Sequence, residues 1–222
     1  MWIKNVKYVI DNKVIIDDVT CEIKKGRIAV LLGPNGSGKT TLLKLIKGLI
    51  KCNEGDIEDN NSVLVLDEPV LYEELTGKEH IEFIAQLVGK KKEIDAKFIK
   101  DIVDMLDMKE YLNKVISTYS LGTKKKLQLI CALISKPDVV LMDEYISGLD
   151  PKILYTVKNV MKEYAKQEKT ILLSTHMLDM AEKFCDDVIL LNDGKIVKNT
   201  LSISEINSKY KDLEQYYLTC VE

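Results

Sequence analysis

Residues 28–47 read IAVLLGPNGSGKTTLLKLIK, and the fold turns on how this stretch divides. Its opening, IAVLL, is apolar at every position, as expected of a strand covered on both faces. Its end, TLLKLIK, repeats leucine and isoleucine at helical spacing. Between them, residues 33–40 read GPNGSGKT and match G-x-x-x-x-G-K-[ST] in full. A strand that turns at once into a helix needs backbone conformations and close approaches that a Cβ forbids, which Gly33, Gly36 and Gly38 allow.

Such a turn is a cradle for phosphate. N–H groups along Gly33, Pro34, Asn35, Gly36, Ser37 and Gly38 (proline excepted) converge on one anion, and the following helix aims its positive end at it. Lys39 supplies a full positive charge for the β- and γ-phosphates of a nucleotide, the Thr40 hydroxyl suits Mg²⁺, and Thr41 is placed to donate to the α-phosphate. The alternative, a glycine-rich turn carrying a chance lysine, requires the whole motif and both flanks to coincide.

Outward from this stretch, apolar runs at Val63–Leu66, Val139–Met142, Thr170–Ser174 and Val188–Leu191 alternate with longer helical patterns. That alternation predicts βαβ units and a mostly parallel sheet, an α/β fold. Near the N-terminus, Ile3–Ile10 and Val14–Ile23 alternate in β-branched residues around Asp11, Asn12 and Lys13, predicting an antiparallel hairpin layer. From about 68 to 136 strand signals vanish, and KEHIEFIAQLVG, AKFIKDIVDMLDM and Gly122–Ser135 carry helical periodicity. The expectation is one domain over residues 1–222 with a helical subdomain inserted at about 68–136. The tail after Leu201 carries no clear pattern.

Composition narrows the function classes. The 222 residues are 46% hydrophobic and 30% charged, the profile of a folded globular chain. Charged residues interrupt every apolar run before it reaches the ~18 residues of a spanning helix. A net charge of -3 gives no basic stripe for nucleic acid. Cys21, Cys52, Cys131, Cys185 and Cys220 form no C-x-x-C pair, which speaks against zinc and a disulfide framework.

Two carboxylates, Asp143 and Glu144, end the buried run VVLM at the strand edge where open α/β sheets place ligands. Asp143 fits a Mg²⁺ carboxylate and Glu144 a general base for water, although a solvated strand-end pair reads the same way. His176, after ILLST, reaches the same edge or is merely exposed; His80, beside Glu79, reads as surface. Arg27, the one arginine, precedes the glycine loop's strand at the end away from phosphate.

GPNGSGKT, YSLGTKKKL (Tyr119–Leu127), VVLMDE, SGLD and STH stand in the order and approximate spacing of ABC-type ATPases, which the chain resembles over nearly its whole length. The resemblance implies a P-loop NTPase that hydrolyses ATP with Mg²⁺. It implies a head-to-tail dimer, with itself or a second ATPase subunit, in which Ser120 and Gly122 of one subunit contact the γ-phosphate on the other. Read alone, Ser120 simply caps a helix. Asp150, before Pro151, reads both as a cap and as part of a loop crossing the dimer interface.

The same resemblance implies a transmembrane permease partner docked near Tyr72–Thr76 and a cytoplasmic place on the inner membrane face. A soluble non-transport ABC-type ATPase, or a module that closes on ATP and turns it over slowly, are the alternatives. Three departures stand out. Asp67 takes the place of a usual metal-contacting glutamine and reads either as a Mg²⁺ ligand or as a solvated acid. Ile10 takes the place of the aromatic that stacks on adenine, with Tyr8 two residues earlier as a substitute. Tyr145 replaces a proline after Glu144. The forms SLGTK and EPVLYEELTGKE resemble the branch serving exporters of the ABC-2 type.

Overall fold

The chain winds around the strand that begins the glycine-rich stretch. A computed structural model describes residues 1–58, 61–89 and 95–221. The N-terminal strands β1 (Trp2–Ile10) and β2 (Lys13–Glu22) form the expected antiparallel hairpin. Its turn is tight, since Asp11 and Asn12 both take positive φ (48° and 62°) and Ile10 pairs directly with Lys13. Next come β3 (Ile28–Leu32), α1 (Lys39–Lys47), β4 (Glu54–Ile57) and β5 (Ser62–Val65).

Strand β4 has no counterpart in the sequence reading. It pairs antiparallel with β1, so the N-terminal layer is a three-stranded sheet ordered β2-β1-β4. Its sequence, EGDI, holds one apolar residue, so pairing rather than hydrophobic patterning defines it.

The chain then runs through helices α2 (Gly77–Gly89), α3 (Ala96–Met105) and α4 (Leu121–Leu133) before returning to the sheet at β6 (Val139–Asp143). Residues 90–94, within the stretch 68–136, lie outside the described residues. After β6 follow α5 (Pro151–Ala165), β7 (Thr170–Thr175), α6 (Leu178–Phe184), β8 (Asp187–Asn192), β9 (Lys195–Ser202), α7 (Ile203–Lys209) and α8 (Leu213–Val221). The main sheet is ordered β5-β6-β7-β3-β8-β9, parallel except for β9.

Alternate side chains of β3 explain why all five are apolar. Ile28, Val30 and Leu32 face a core shared with α4, α5 and α6, while Ala29 and Leu31 face one shared with α1 and the N-terminal sheet. The sheet is therefore the middle of three layers.

One surface expectation is corrected. His80 is 2% exposed, because the helical repeat places it one turn before Ile84 on the inner face of α2. Burial holds its imidazole below the ordinary pKa, so it stays neutral at pH 7. The C-terminal tail is also ordered into structure: Ser202 and Glu205 form a capping box, and Ile206, Leu213 and Tyr216 are buried. All five cysteines are free thiols, and burial pushes Cys21 and Cys131 up to about 12. Among the described residues, no helix is long and apolar enough to cross a membrane.

Candidate active site

Glycine is required where the loop after β3 turns. A Cβ on Gly33 would lie 2.1 Å from the backbone oxygen of Leu191 on the neighbouring β8. Gly38 sits at φ +105° as the N-cap of α1, with Ile16 and Ile15 of β2 against it. The loop is thus wedged between the two sheets. Ser37 N–H closes it by donating to Pro34 O at 3.2 Å, and Gly194 N–H donates to Ser37 O at 3.0 Å.

The Lys39 ammonium is buried beneath this loop, donating to Gly33 O (2.8 Å) and Pro34 O (3.1 Å). One residue on, Thr40 Oγ1 donates to Asp143 Oδ2 at 2.7 Å. The other Asp143 oxygen, Oδ1, accepts from Ser174 Oγ at 2.6 Å. Parallel pairing of β6 with β7 puts Asp143 directly beside Ser174, so two strand ends and the first turn of α1 meet at one carboxylate.

Glu144 leaves β6 in the left-handed region, φ +47°, which turns its side chain away from that of Asp143. Its N–H is held by Ser174, through the carbonyl oxygen at 3.2 Å and Oγ at 3.1 Å. Oε1 lies 3.2 Å from His176 Nδ1 and 3.6 Å from Lys39 Nζ. Oε2 is buried without a hydrogen-bond partner in the protein. Glu144 lines the cleft, and a buried carboxylate oxygen lacking a donor there fits a site whose last donor arrives with the substrate.

Ser174 was not singled out in the sequence, although it belongs to the STH run. It is fully buried and serves both acidic residues. Ser174→Ala is expected to cost about 1–3 kcal/mol by leaving Asp143 Oδ1 without its donor, while the Glu144 N–H keeps the residue 174 carbonyl. Urea unfolding measures that loss; a midpoint unchanged from wild type would remove Ser174 from the network.

The cleft over the loop is about 250 Å³ and lies between Ile15 on one side and Thr40, Thr41 and Glu144 on the other. Complete small-molecule pockets run to about 300–1,000 Å³, so this surface encloses less than a whole nucleotide. Tyr8 packs partly buried against the core, while Ile10, at the hairpin end, is half exposed. Ile15, not singled out in the sequence, lines the cleft.

Ser120 and Gly122 do not line this cleft. Ser120 is the N-cap of α4, its Oγ accepting from Thr123 N–H at 3.3 Å. Gly122 lets α4 press on α5, since a Cβ there would lie 2.2 Å from Ile153 Cδ1. Asp150 caps α5 through Lys152 N–H (3.0 Å) and Ile153 N–H (2.9 Å), with Pro151 as the first helical residue. Arg27 forks onto Asp187 at the opposite end of β3, far along the strand from the glycine loop.

Asp67 Oδ1 accepts from Lys125 Nζ at 2.8 Å. Among the described residues, no group of three or more His, Cys, Asp or Glu is arranged to hold a metal. Thr40 and Asp143 together offer the small oxygen set with which Mg²⁺ is held against substrate phosphates, rather than a full protein cage.

The sequence pattern of the ABC transporter family matches residues 16–147, from β2 to the loop after β6. An ABC transporter ATP-binding protein of Methanocaldococcus jannaschii is 35% identical over 196 residues, 88% of this chain and 75% of the relative. The ABC transporter ATP-binding protein NatA of Bacillus subtilis is 30% identical, with 92% of this chain and 89% of the relative covered. A solved ATP-binding subunit of an ABC transporter shares the fold with a TM-score of 0.88 and 27% identity, over 99% of this chain and 98% of that one. The matched stretch holds Lys39, Thr40, Ser120, Asp143 and Glu144, while Ser174 and His176 lie beyond it.

Proposed function

We infer the working of the site from one premise: the chain belongs to the ABC transporter family of ATP-binding proteins. It is an ATP-binding, ATP-hydrolysing subunit that energises transport through a separate membrane-spanning partner. The observation that carries the hydrolytic part is the meeting of Lys39, Thr40, Asp143 and Glu144 at one strand edge, with Glu144 lining the cleft and its Oε2 lacking a partner in the protein.

In this reading the glycine-loop N–H groups of residues 35–41 and the Lys39 ammonium receive the β- and γ-phosphates of ATP. Thr40 Oγ1 and Asp143 would hold Mg²⁺, which when bound neutralises phosphate charge. Glu144 Oε2 accepts a proton from water as the water oxygen bonds to Pγ and the bond from Pγ to the ADP oxygen breaks. ADP and inorganic phosphate leave, and Glu144 returns the proton to solvent. His176 and Lys39, both beside Oε1, orient the carboxylate.

The open cleft and the outward placement of Ser120 and Gly122 support a site completed by a second subunit. There the α4 N-terminus of one chain faces the γ-phosphate held by the other, in a head-to-tail homodimer or a pair with another ATPase subunit. We treat residues 1–222 as one ATPase domain whose helical lobe spans about 68–136. Its Tyr72–Thr76 region, with Tyr72 and Val70 exposed and Tyr72 edge-on to Phe83 at 5.2 Å, is the docking face for the permease. The chain would then sit peripherally on the cytoplasmic face of the membrane.

Two-subunit completion predicts that ATP turnover per chain rises with protein concentration and levels off once dimers form. Steady-state phosphate release measured from nanomolar to micromolar chain checks this. Turnover per chain that stays constant across the range while the protein remains monomeric would refute the shared site.

A further inference from the structure

Lys125 is the middle of three consecutive lysines, yet its side chain is 1% exposed. A buried ammonium has three protons to satisfy, and here each has an acceptor: Asp67 Oδ1 at 2.8 Å, Ser147 O at 2.8 Å and Tyr145 O at 3.0 Å. The contact with Tyr145 is returned, because Tyr145 Oη donates to Lys125 O at 2.7 Å. Tyr145 is itself fully buried. One turn along α4, Gln128 Nε2 donates to Leu66 O at 3.2 Å.

These bonds join three pieces of chain distant in sequence: helix α4, which begins at Ser120; the end of β5 at Leu66 and Asp67; and the loop that carries Glu144 out of β6. Upstream, the loop is fixed by the grip of Ser174 on the Glu144 N–H. Downstream, it is fixed at residues 145 and 147 by Lys125, the one charged side chain among the described residues that hydrogen-bonds those carbonyls. Glu144 is held between these two anchors in a left-handed conformation that its own sequence disfavours.

We propose that Lys125 and Asp67 form a clasp that positions Glu144 relative to helix α4, and that Asp67 serves this clasp rather than Mg²⁺. Lys125 is a positioning residue acting on Glu144 through the 145–147 backbone. The carboxylate is needed because two neutral carbonyls do not balance a desolvated ammonium. Asp67 also stands just before the exposed segment at Val70 and Tyr72, so a partner pressing there acts on the same clasp.

This rests on the ATPase reading, and its test is built to separate the two. Asp67→Asn and Lys125→Met are compared with wild type for ATP affinity, turnover and Mg²⁺ half-saturation. The clasp predicts turnover lower by about tenfold or more, the scale of a displaced catalytic group, with ATP affinity and Mg²⁺ half-saturation both within about twofold. The double variant should be no slower than the slower single one, since both changes break one unit. A Mg²⁺ half-saturation raised about tenfold in Asp67→Asn would make Asp67 a metal ligand and overturn the clasp. Turnover losses that multiply in the double variant, or full turnover in Asp67→Asn, would overturn it as well.

Should Lys125→Met not fold, Asp67→Asn decides alone, because the Asp67 side chain is half exposed and the amide keeps its volume. Amide hydrogen exchange at residues 144–149, read without nucleotide, supplies an arm independent of activity. Faster exchange in Asp67→Asn supports the clasp; exchange equal to wild type overturns it even if the wild-type chain proves unable to hydrolyse ATP.

Discussion

Glu144→Gln is expected to bind ATP as well as the wild type while turning it over about 100-fold or more slowly, within the range a general base contributes. The substitution keeps the size of the side chain and removes its basicity. It leaves the backbone requirement unchanged, since glutamine meets the φ of +47° on the same terms as glutamate. Ser174 continues to hold the residue 144 N–H, so the loop stays in place. Loss of a negative charge beside the phosphates does not weaken binding. Bound ATP then outlasts the encounter of two chains, and the ATP-bound dimer accumulates. Size-exclusion chromatography with ATP and Mg²⁺ shows the dimer, and phosphate release shows the rate. Hydrolysis undiminished in this variant would remove Glu144 from the role of general base.

The parts of the molecule that could be read from the chain are those whose physics is local. The turn at Gly33–Thr40 is specified by its own glycines and by flanks that each carry one periodicity, and β3 and α1 lie where that pattern put them. The same holds for β6, apolar up to its terminal Asp143, and for β7, whose apolar Ile171, Leu172 and Leu173 sit between buried hydroxyl residues, because helices and sheet cover both faces. Strand β4 escaped because its only signal is a partner, β1, some fifty residues away.

His80 was misjudged from its charged neighbour Glu79. On a helix the relevant neighbours are a turn away, and Ile84 carries His80 inward. Lys125 is the sharper case. Nothing in the sequence distinguishes the middle of three adjacent lysines, yet successive helical positions point about 100° apart, and that one enters a pocket of acceptors supplied by residues 67, 145 and 147. Those acceptors are invisible until the chain is folded. Thr40 and Asp143 were each legible from their motifs, whereas Ser174, although within the STH run, acquires its hold on Asp143 and Glu144 from parallel pairing.

Lys39→Ala is expected to weaken ATP binding by about 100-fold or more, equivalent to about 2.7 kcal/mol. The ammonium does two things in the structure. It donates to Gly33 O and Pro34 O, which fixes the loop around the position that phosphate takes, and it stands 3.6 Å from Glu144 Oε1 as the nearest cation to that carboxylate. Alanine removes both, leaving Gly33 O without its lysine donor, Pro34 O with the Ser37 N–H alone, and Glu144 facing a triphosphate without the Lys39 charge. Charge-assisted contacts to phosphate are about twice as strong as neutral ones, so the remaining N–H groups of the loop do not make up the difference. Lys39→Arg is expected to recover little, since a planar guanidinium on a longer stem does not fit a buried point-charge position that is 6% exposed. Calorimetric titration with ATP, alongside a thermal melt to show that α1 and its loop remain folded, measures the effect. An affinity equal to wild type in a folded Lys39→Ala protein would mean that the glycine-loop N–H groups alone hold the nucleotide, and the role given to Lys39 would fall.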